Sequence, residues 1–545
     1  MRRMIIGWVA VAALASALAA AGQKFYRDDP LWRDPETQDA SAARPIDVSE
    51  QYDFLENTFL GAGDENPKRA VNINTVDEVP DSSWFTNRIG RDARTSERIA
   101  RGPDTGAGPA AGPWTVIAGK SEGITPGLTI RDAAGDVYFI KFDPRSNPEM
   151  ASGAEIISTK FFHAAGYHTP ENYIATLRRE LLTIGPGTGI DDQDGRRHAM
   201  QPRDIDDMLE KVSRGADGSY RVLASKALPG RPLGHFRYYG TRPDDPNDIY
   251  PHEHRRELRG LQVFAAWLNH DDSRSINTLD VLIPEGSRSL VRHYLLDFGS
   301  TLGSGSTQAQ TTRAGNEFIW EARPTFITML TLGFYVRPWV KVKYPEIPSV
   351  GRIESAYFRP ENWKPEYRNP AFGNARPEDR FWAARILSRF SDDDVRAVVA
   401  TARFSDPRAT AYLTETILAR KAKVLQAWLN GTNPIVNPSM DEAGMMRFQN
   451  AAEEIGVAKP ADHYTVTWSR FDNASSTHTA VGAEQTVTTT SVQAPRELLS
   501  DQFVSATIKG FHPDEPAWQQ PVIVYFRRTP DARWTLVGLE RNPGQ

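Results

Sequence analysis

Short runs of Val, Ile, Phe and Tyr at 114–118, 128–131 and 137–142 are separated by Gly-bearing stretches at 119–127 and 133–135. This pattern predicts three strands joined by turns. From 148 to 165 the period changes: Met150, Ala154, Ile157 and Phe161 recur at helical spacing, and Gly166 follows as a stop signal. A polar stretch at 191–219, read as an insertion, leads to a further strand at 221–226. A helix is predicted over 253–268, with Leu258, Leu261, Ala265 and Leu268 on one face, and the runs 280–283 and 291–296 predict a strand pair. Further on, Ser391-Asp392-Asp393-Asp394 opens a helix as a capping box. Asp406-Pro407 opens another that carries Leu413, Ile417 and Leu418. Beyond His463 the runs 464–468, 486–492, 504–508, 522–526 and 534–539 predict strands.

The flanks read differently. Residues 22–113 are polar, with isolated aromatics at Phe25, Tyr26, Trp32, Tyr52, Phe54 and Trp84, and they end in a Gly-Ala-Pro linker at 102–113. Such a segment is expected to pack a few anchors on a neighbouring domain, since it lacks the periodicity of an independent core. A Gly, Asn and Pro cluster marks a second linker at 431–451, and 452–545 is expected to form a small β-sandwich-like module. Met1-Arg2-Arg3 precedes an apolar, Ala-rich run and small residues at 17–21, which predicts a signal peptide over 1–21 and an exported, periplasmic or extracellular protein. An uncleaved membrane anchor is the competing reading. The absence of Cys excludes thiol catalysis, disulfides, thiolate metal sites and attachment of lipid to Cys, and a net charge of -5 argues against nucleic acid as a partner.

The chemistry concentrates in the segment 114–430. Lys141 closes the third predicted strand and Glu155 lies on the following helix. Gly119, Gly123 and Gly127 fall between the first two strands, where backbone amides can approach phosphates. Asp272-Ser-Arg-Ser-Ile-Asn277 and Asp297-Phe298-Gly299 each follow a hydrophobic stretch. Phosphoryl transfer requires a carboxylate near the acceptor hydroxyl and oxygen ligands that hold Mg²⁺ against nucleotide phosphates.

In this order the motifs resemble the atypical protein-kinase-like superfamily, in particular HipA-type and CotH-type proteins. The resemblance rests on Tyr-Phe-Ile-Lys141-Phe, Glu155, Gly166-Tyr-His-Thr-Pro and 267–277, and covers roughly 114–430. It implies an α+β, two-lobed kinase-like fold binding ATP and Mg²⁺ or Mn²⁺. Asp272 would be the catalytic aspartate, with Asp271 competing for that role. Asn277 and Asp297 would be metal ligands. Lys141 and Glu155, with Gly119, Gly123 and Gly127, would bind phosphate. The acceptor would be a hydroxyl of a protein or small molecule. The chain departs from the pattern in lacking a His just after the catalytic Asp and an Ala-Pro-Glu motif, and 300–306 reads as a flexible stretch.

The alternative is an envelope interaction protein or pseudokinase that uses the kinase-like body and the β module to bind a protein partner. His252-Glu253-His254 lacks the His-Glu-x-x-His zinc spacing and reads as a solvated helix cap. No Gly-x-Ser-x-Gly elbow is present.

Overall fold

The strands foreseen at 114–142 form three adjacent inner strands of a six-stranded sheet. In the computed structural model, which describes residues 22–119, 127–191, 196–332 and 334–543, β1 (Trp114–Gly119), β2 (Gly127–Arg131) and β3 (Val137–Phe142) pair antiparallel in sequence order. The expected signal peptide and Gly123 lie outside the described residues. The sheet is completed by β4 (Asn172–Leu177), β5 (Leu182–Ile184) and β8 (Tyr220–Lys226) in the order β4-β8-β3-β2-β1-β5, with β5 parallel to β1. Alternate residues Tyr138, Ile140 and Phe142 enter a core with Val116, Ile130 and Val222, as the two-residue period of a strand requires. Neither β4 nor β5 was foreseen, because β5 is three residues long and β4 carries Asn172 and Thr176 among its apolar residues. The polar stretch 191–219 also holds β7 (Arg197–Ala199), paired with β6 (Gly189–Asp191), and the helix Pro202–Leu209, whose Ile205 and Leu209 join the same core.

The helix Met150–Ala165 ends at Gly166, whose φ is +133°. A Cβ there would lie 2.2 Å from the Phe85 ring, so both conformation and space demand glycine. The helix Arg256–Leu268 is flanked by the helices Pro377–Ser388 and Pro407–Leu429. Asp379 accepts from Arg256 at 3.0 Å and Arg259 at 3.2 Å with all three side chains fully buried. The Ser391 and Asp394 capping box forms as expected, and Asp406 caps the last of these helices through the Arg408 amide. A three-stranded sheet, β9 (Arg231–Gly234), β10 (Thr278–Glu285) and β11 (Arg288–Leu295), follows the order β11-β10-β9.

These elements belong to one compact unit, residues 32–72 and 79–431. Within it Trp84 is buried and stacks on His293 at 3.5 Å, while Trp32 and Tyr52 are exposed, so only some of the aromatics of the extension act as anchors. The expected solvated cap His252-Glu253-His254 is instead buried: His252 pairs with Asp248 at 2.7 Å, and Glu253 accepts from the Asp64 and Gly240 amides. Tertiary packing of Asp64 and Asp248 overrides the polar character of that triplet.

Among the described residues the second unit comprises 22–31, 73–78 and 432–543. The stretch 431–451, expected to be a linker, carries β12 (Ile435–Met440) and β13 (Met445–Asn450), which pair antiparallel. Asn437 and Pro438 fall where the ladder shifts register between Val436 and Ser439, a tolerated place for them, while Asn433 and Pro434 precede the first strand. Together with β14 (His463–Asp472), β15 (Thr477–Ala480), β16 (Gln485–Val487), β17 (Ser491–Gln493), β18 (Phe503–Phe511), β19 (Val522–Arg528) and β20 (Trp534–Arg541) they form two sheets. One core containing Met446, Phe448, Val466, Trp468, Val524 and Phe526 serves both.

Candidate functional site

Lys141 is on the face of β3 opposite Tyr138, Ile140 and Phe142, so its side chain leaves the strand core. Its Nζ donates to Glu155 Oε1 and Oε2 at 3.0 and 2.9 Å and to Asp297 Oδ1 at 2.9 Å. Burial alone would lower the lysine pKa, but the Asp297 and Glu155 carboxylates outweigh it and raise it. Gly127 is directly opposite Lys141 in the β2–β3 ladder. Gly119 has a packing reason to be glycine as well, because a Cβ would lie 2.7 Å from Ile190.

The helix Arg256–Leu268 ends at Asn269, whose left-handed φ of +51° turns the chain toward Asp271 and Asp272. Asn277 Nδ2 donates to the Asp272 carbonyl at 2.7 Å, closing the loop between them. The Leu296 amide bonds to the Asn277 carbonyl at 2.8 Å, one rung beyond the Thr278–Leu295 pair. The β10–β11 hairpin therefore brings Asn277 and Asp297 to the same end of the sheet. Asp297 also adopts left-handed backbone, with φ +53°. Phe298 is fully buried, stacked on Phe162 of the 150–165 helix at 4.8 Å and tilted against His270 at 5.6 Å. Burial of this ring holds Asp297 at the helix that supplies Glu155.

The stretch 300–306, expected to be flexible, is packed in part. Thr301, Leu302 and Ser304 are buried, and Thr301 Oγ1 bonds to Ser158 Oγ at 2.6 Å. Gly303, at φ +74°, passes so close to the Arg352 backbone that a Cβ would lie 2.2 Å from its carbonyl carbon. Its carbonyl accepts from the amides of Gln310 and Arg352, both at 2.9 Å. Gly303→Ala is therefore expected to cost about 3 kcal/mol or more of stability and to displace Gln310; urea unfolding measures the first.

Asp271, Asp272, Asn277 and Asp297 line one cavity of about 970 Å³, together with Arg274, Gln310 and Glu366. Asp271 is buried and its Oδ1 accepts from Gln310. Burial, reinforced by the Asp272 charge, pushes Asp271 up to about 8. The Asp272 side chain is more open, at 16% exposure, and forms an ion pair with Arg274. Burial raises it to about 6; Arg274 opposes the rise and Glu366 adds to it. At neutral pH this leaves Asp272 largely ionised and Asp271 protonated, so of the two Asp272 is the carboxylate able to accept a proton.

Arg274, Gln310 and Glu366 were not singled out in the sequence. Arg274 falls inside the Asp-to-Asn string and could have been; Gln310 and Glu366 reach the site only through tertiary folding. Residues 47–51 of the extension also line the cavity, and Glu50 accepts from Arg274 at 3.1 Å. Among the described residues no group of three His, Asp or Glu side chains is placed to hold a bare metal ion. Asp297 and Asn277, one carboxylate and one amide, both line the cavity.

No family model and no curated protein matches the chain. Among solved structures, the proinflammatory kinase CtkA of Helicobacter pylori is similar over 56% of this chain and 92% of its own, with 11% identity and a TM-score of 0.28. A superposition this loose assigns no role to any residue here.

Proposed function

We propose that the first unit is a kinase-like phosphotransferase, related to the HipA-type and CotH-type branch, that binds ATP with Mg²⁺ or Mn²⁺ and phosphorylates a hydroxyl of a protein or small molecule. The observation that carries this reading is the ion-pair cluster of Lys141, Glu155 and Asp297, which joins three residues from separate motifs. Glu155 fixes the rotamer of Lys141, whose ammonium would neutralise phosphate oxygens. Asp272 accepts the acceptor O–H proton as its oxygen bonds to phosphorus. The bond from phosphorus to the bridging oxygen breaks, and the nucleoside diphosphate leaves. Asn277 and Asp297 would hold the metal, which when bound offsets charge on the phosphates. The amino-terminal sequence supports export, with the acceptor met in the periplasm or outside the cell.

Saturating ATP with Mg²⁺ or Mn²⁺ is expected to raise the thermal midpoint of the full chain by several degrees, with the rise abolished in Asp297→Ala. A cooperative transition that nucleotide does not move would overturn the reading. The Asp272–Arg274 ion pair favours a second possibility, nucleotide binding without transfer, because it occupies the carboxylate. Stabilisation by nucleotide without labelling of any acceptor would support it.

A further inference from the structure

The segment from Ile319 to Lys343 has the wrong surface for a protein bathed only in water. Its helix, Ala322–Leu330, buries none of its residues. Leu330 is 68% exposed, Leu332 87% and Phe334 86%, and Phe326, Met329, Val336 and Val340 are exposed too. The patch continues into the extension, where Phe59 contacts Trp320 at 6.2 Å and Leu60 is 75% exposed. An exposed apolar area of this extent marks an interaction site.

Charge identifies the occupant. Although the whole chain carries -5, residues 319–343 hold Arg323, Arg337, Lys341 and Lys343 against Glu321 alone. Arg323, Lys341 and Lys343 are exposed. Two of the nearby acids are committed: Glu321 pairs with Lys364, and Glu317 pairs with Arg337 at 2.6 Å and accepts from Trp339 Nε1 at 3.1 Å. Glu354 and Glu415 line a pocket with Lys341 and Lys343. Exposed cations beside an apolar surface, with Trp320, Tyr335 and Trp339 in the same segment, are the side-chain set that enters the headgroup layer of an anionic bilayer. At nine residues the helix is too short to cross one, and among the described residues no helix is long and apolar enough to do so.

We infer that the 319–343 segment is a peripheral membrane-docking element that inserts its apolar side chains into the interface of an anionic lipid surface. This inference does not depend on phosphoryl transfer. The absence of Cys permits a direct test: Leu332→Cys and, as a reference, Ile249→Cys, each in the full chain and labelled with an environment-sensitive fluorophore. Ile249 is also exposed, at 64%, and lies outside the patch. Phosphatidylglycerol-containing vesicles should shift the emission of the 332 label to the blue and allow its quenching by brominated lipid. Phosphatidylcholine vesicles should do so far less, and the 249 label should stay unchanged even where the amino terminus binds the vesicle. Replacing Arg323, Lys341 and Lys343 by Gln should weaken the response to anionic vesicles by roughly tenfold or more.

Three results would overturn the inference. The first is an unshifted 332 label on anionic vesicles. The second is an equal shift at 249, which would mean general adsorption. The third is a 332 shift that needs no vesicles and grows with protein concentration, which would make a second copy of the chain the occupant.

Discussion

Under the proposed phosphotransferase function, Lys141→Met is expected to reduce phosphoryl transfer by at least about 10²-fold in kcat, because it removes the preorganised cation assigned to neutralising phosphate charge. Met preserves the length of the stem and so leaves the packing of β3 in place. The substitution also takes the ammonium partner from Glu155, a carboxylate only 3% exposed, and this is expected to cost about 3 kcal/mol or more of stability. The two effects are separable. Adding Glu155→Gln removes the buried charge, so the double variant should recover most of the stability in urea unfolding while transfer of labelled γ-phosphate stays lost. Recovery of transfer in the double variant would show that Lys141 serves the fold alone.

Asp271→Asn is expected to stabilise the protein, and increasingly so as pH rises. The ordinary carboxyl value of 3.8 holds in the unfolded chain, whereas burial lifts the native group to about 8. Between those values the native state holds a proton that the unfolded state has lost, so Asp271 makes stability fall by about 1.4 kcal/mol for each unit of rising pH. The asparagine has no such slope, and its amide oxygen can still accept from Gln310. The gain should be near zero at pH 4 and reach several kcal/mol by pH 8, where it levels off. Urea unfolding in chelator at pH 5, 6.5 and 8 measures it. A gain independent of pH would mean that the buried charge is not its source. Asp272→Asn, in contrast, is expected to abolish transfer, since it removes the proton acceptor.

The sequence itself determined the local elements and the order of the motifs. Strand period placed β1, β2, β3 and β8 to within a residue or two, and helical spacing with a following glycine placed the helix Met150–Ala165. Both signals arise from neighbours along the chain, where alternate or every third and fourth side chain must face one core. The same locality made Lys141, Glu155, Asp272, Asn277 and Asp297 recognisable, since each belongs to a short string.

Tertiary structure alone decided the rest. β5 pairs with β1 across more than sixty residues, and its three residues carry no period to read. The strands in 431–451 were hidden behind Asn and Pro, which signal a linker unless a register shift accommodates them. Burial of His252, Glu253 and His254 depends on Asp64 and Asp248, and the protonation difference between Asp271 and Asp272 depends on Gln310, Arg274 and Glu366. Desolvation and charge coupling are set by what packs against a group in space. Neighbours in sequence can supply the acid, but only the fold fixes the state in which it is held.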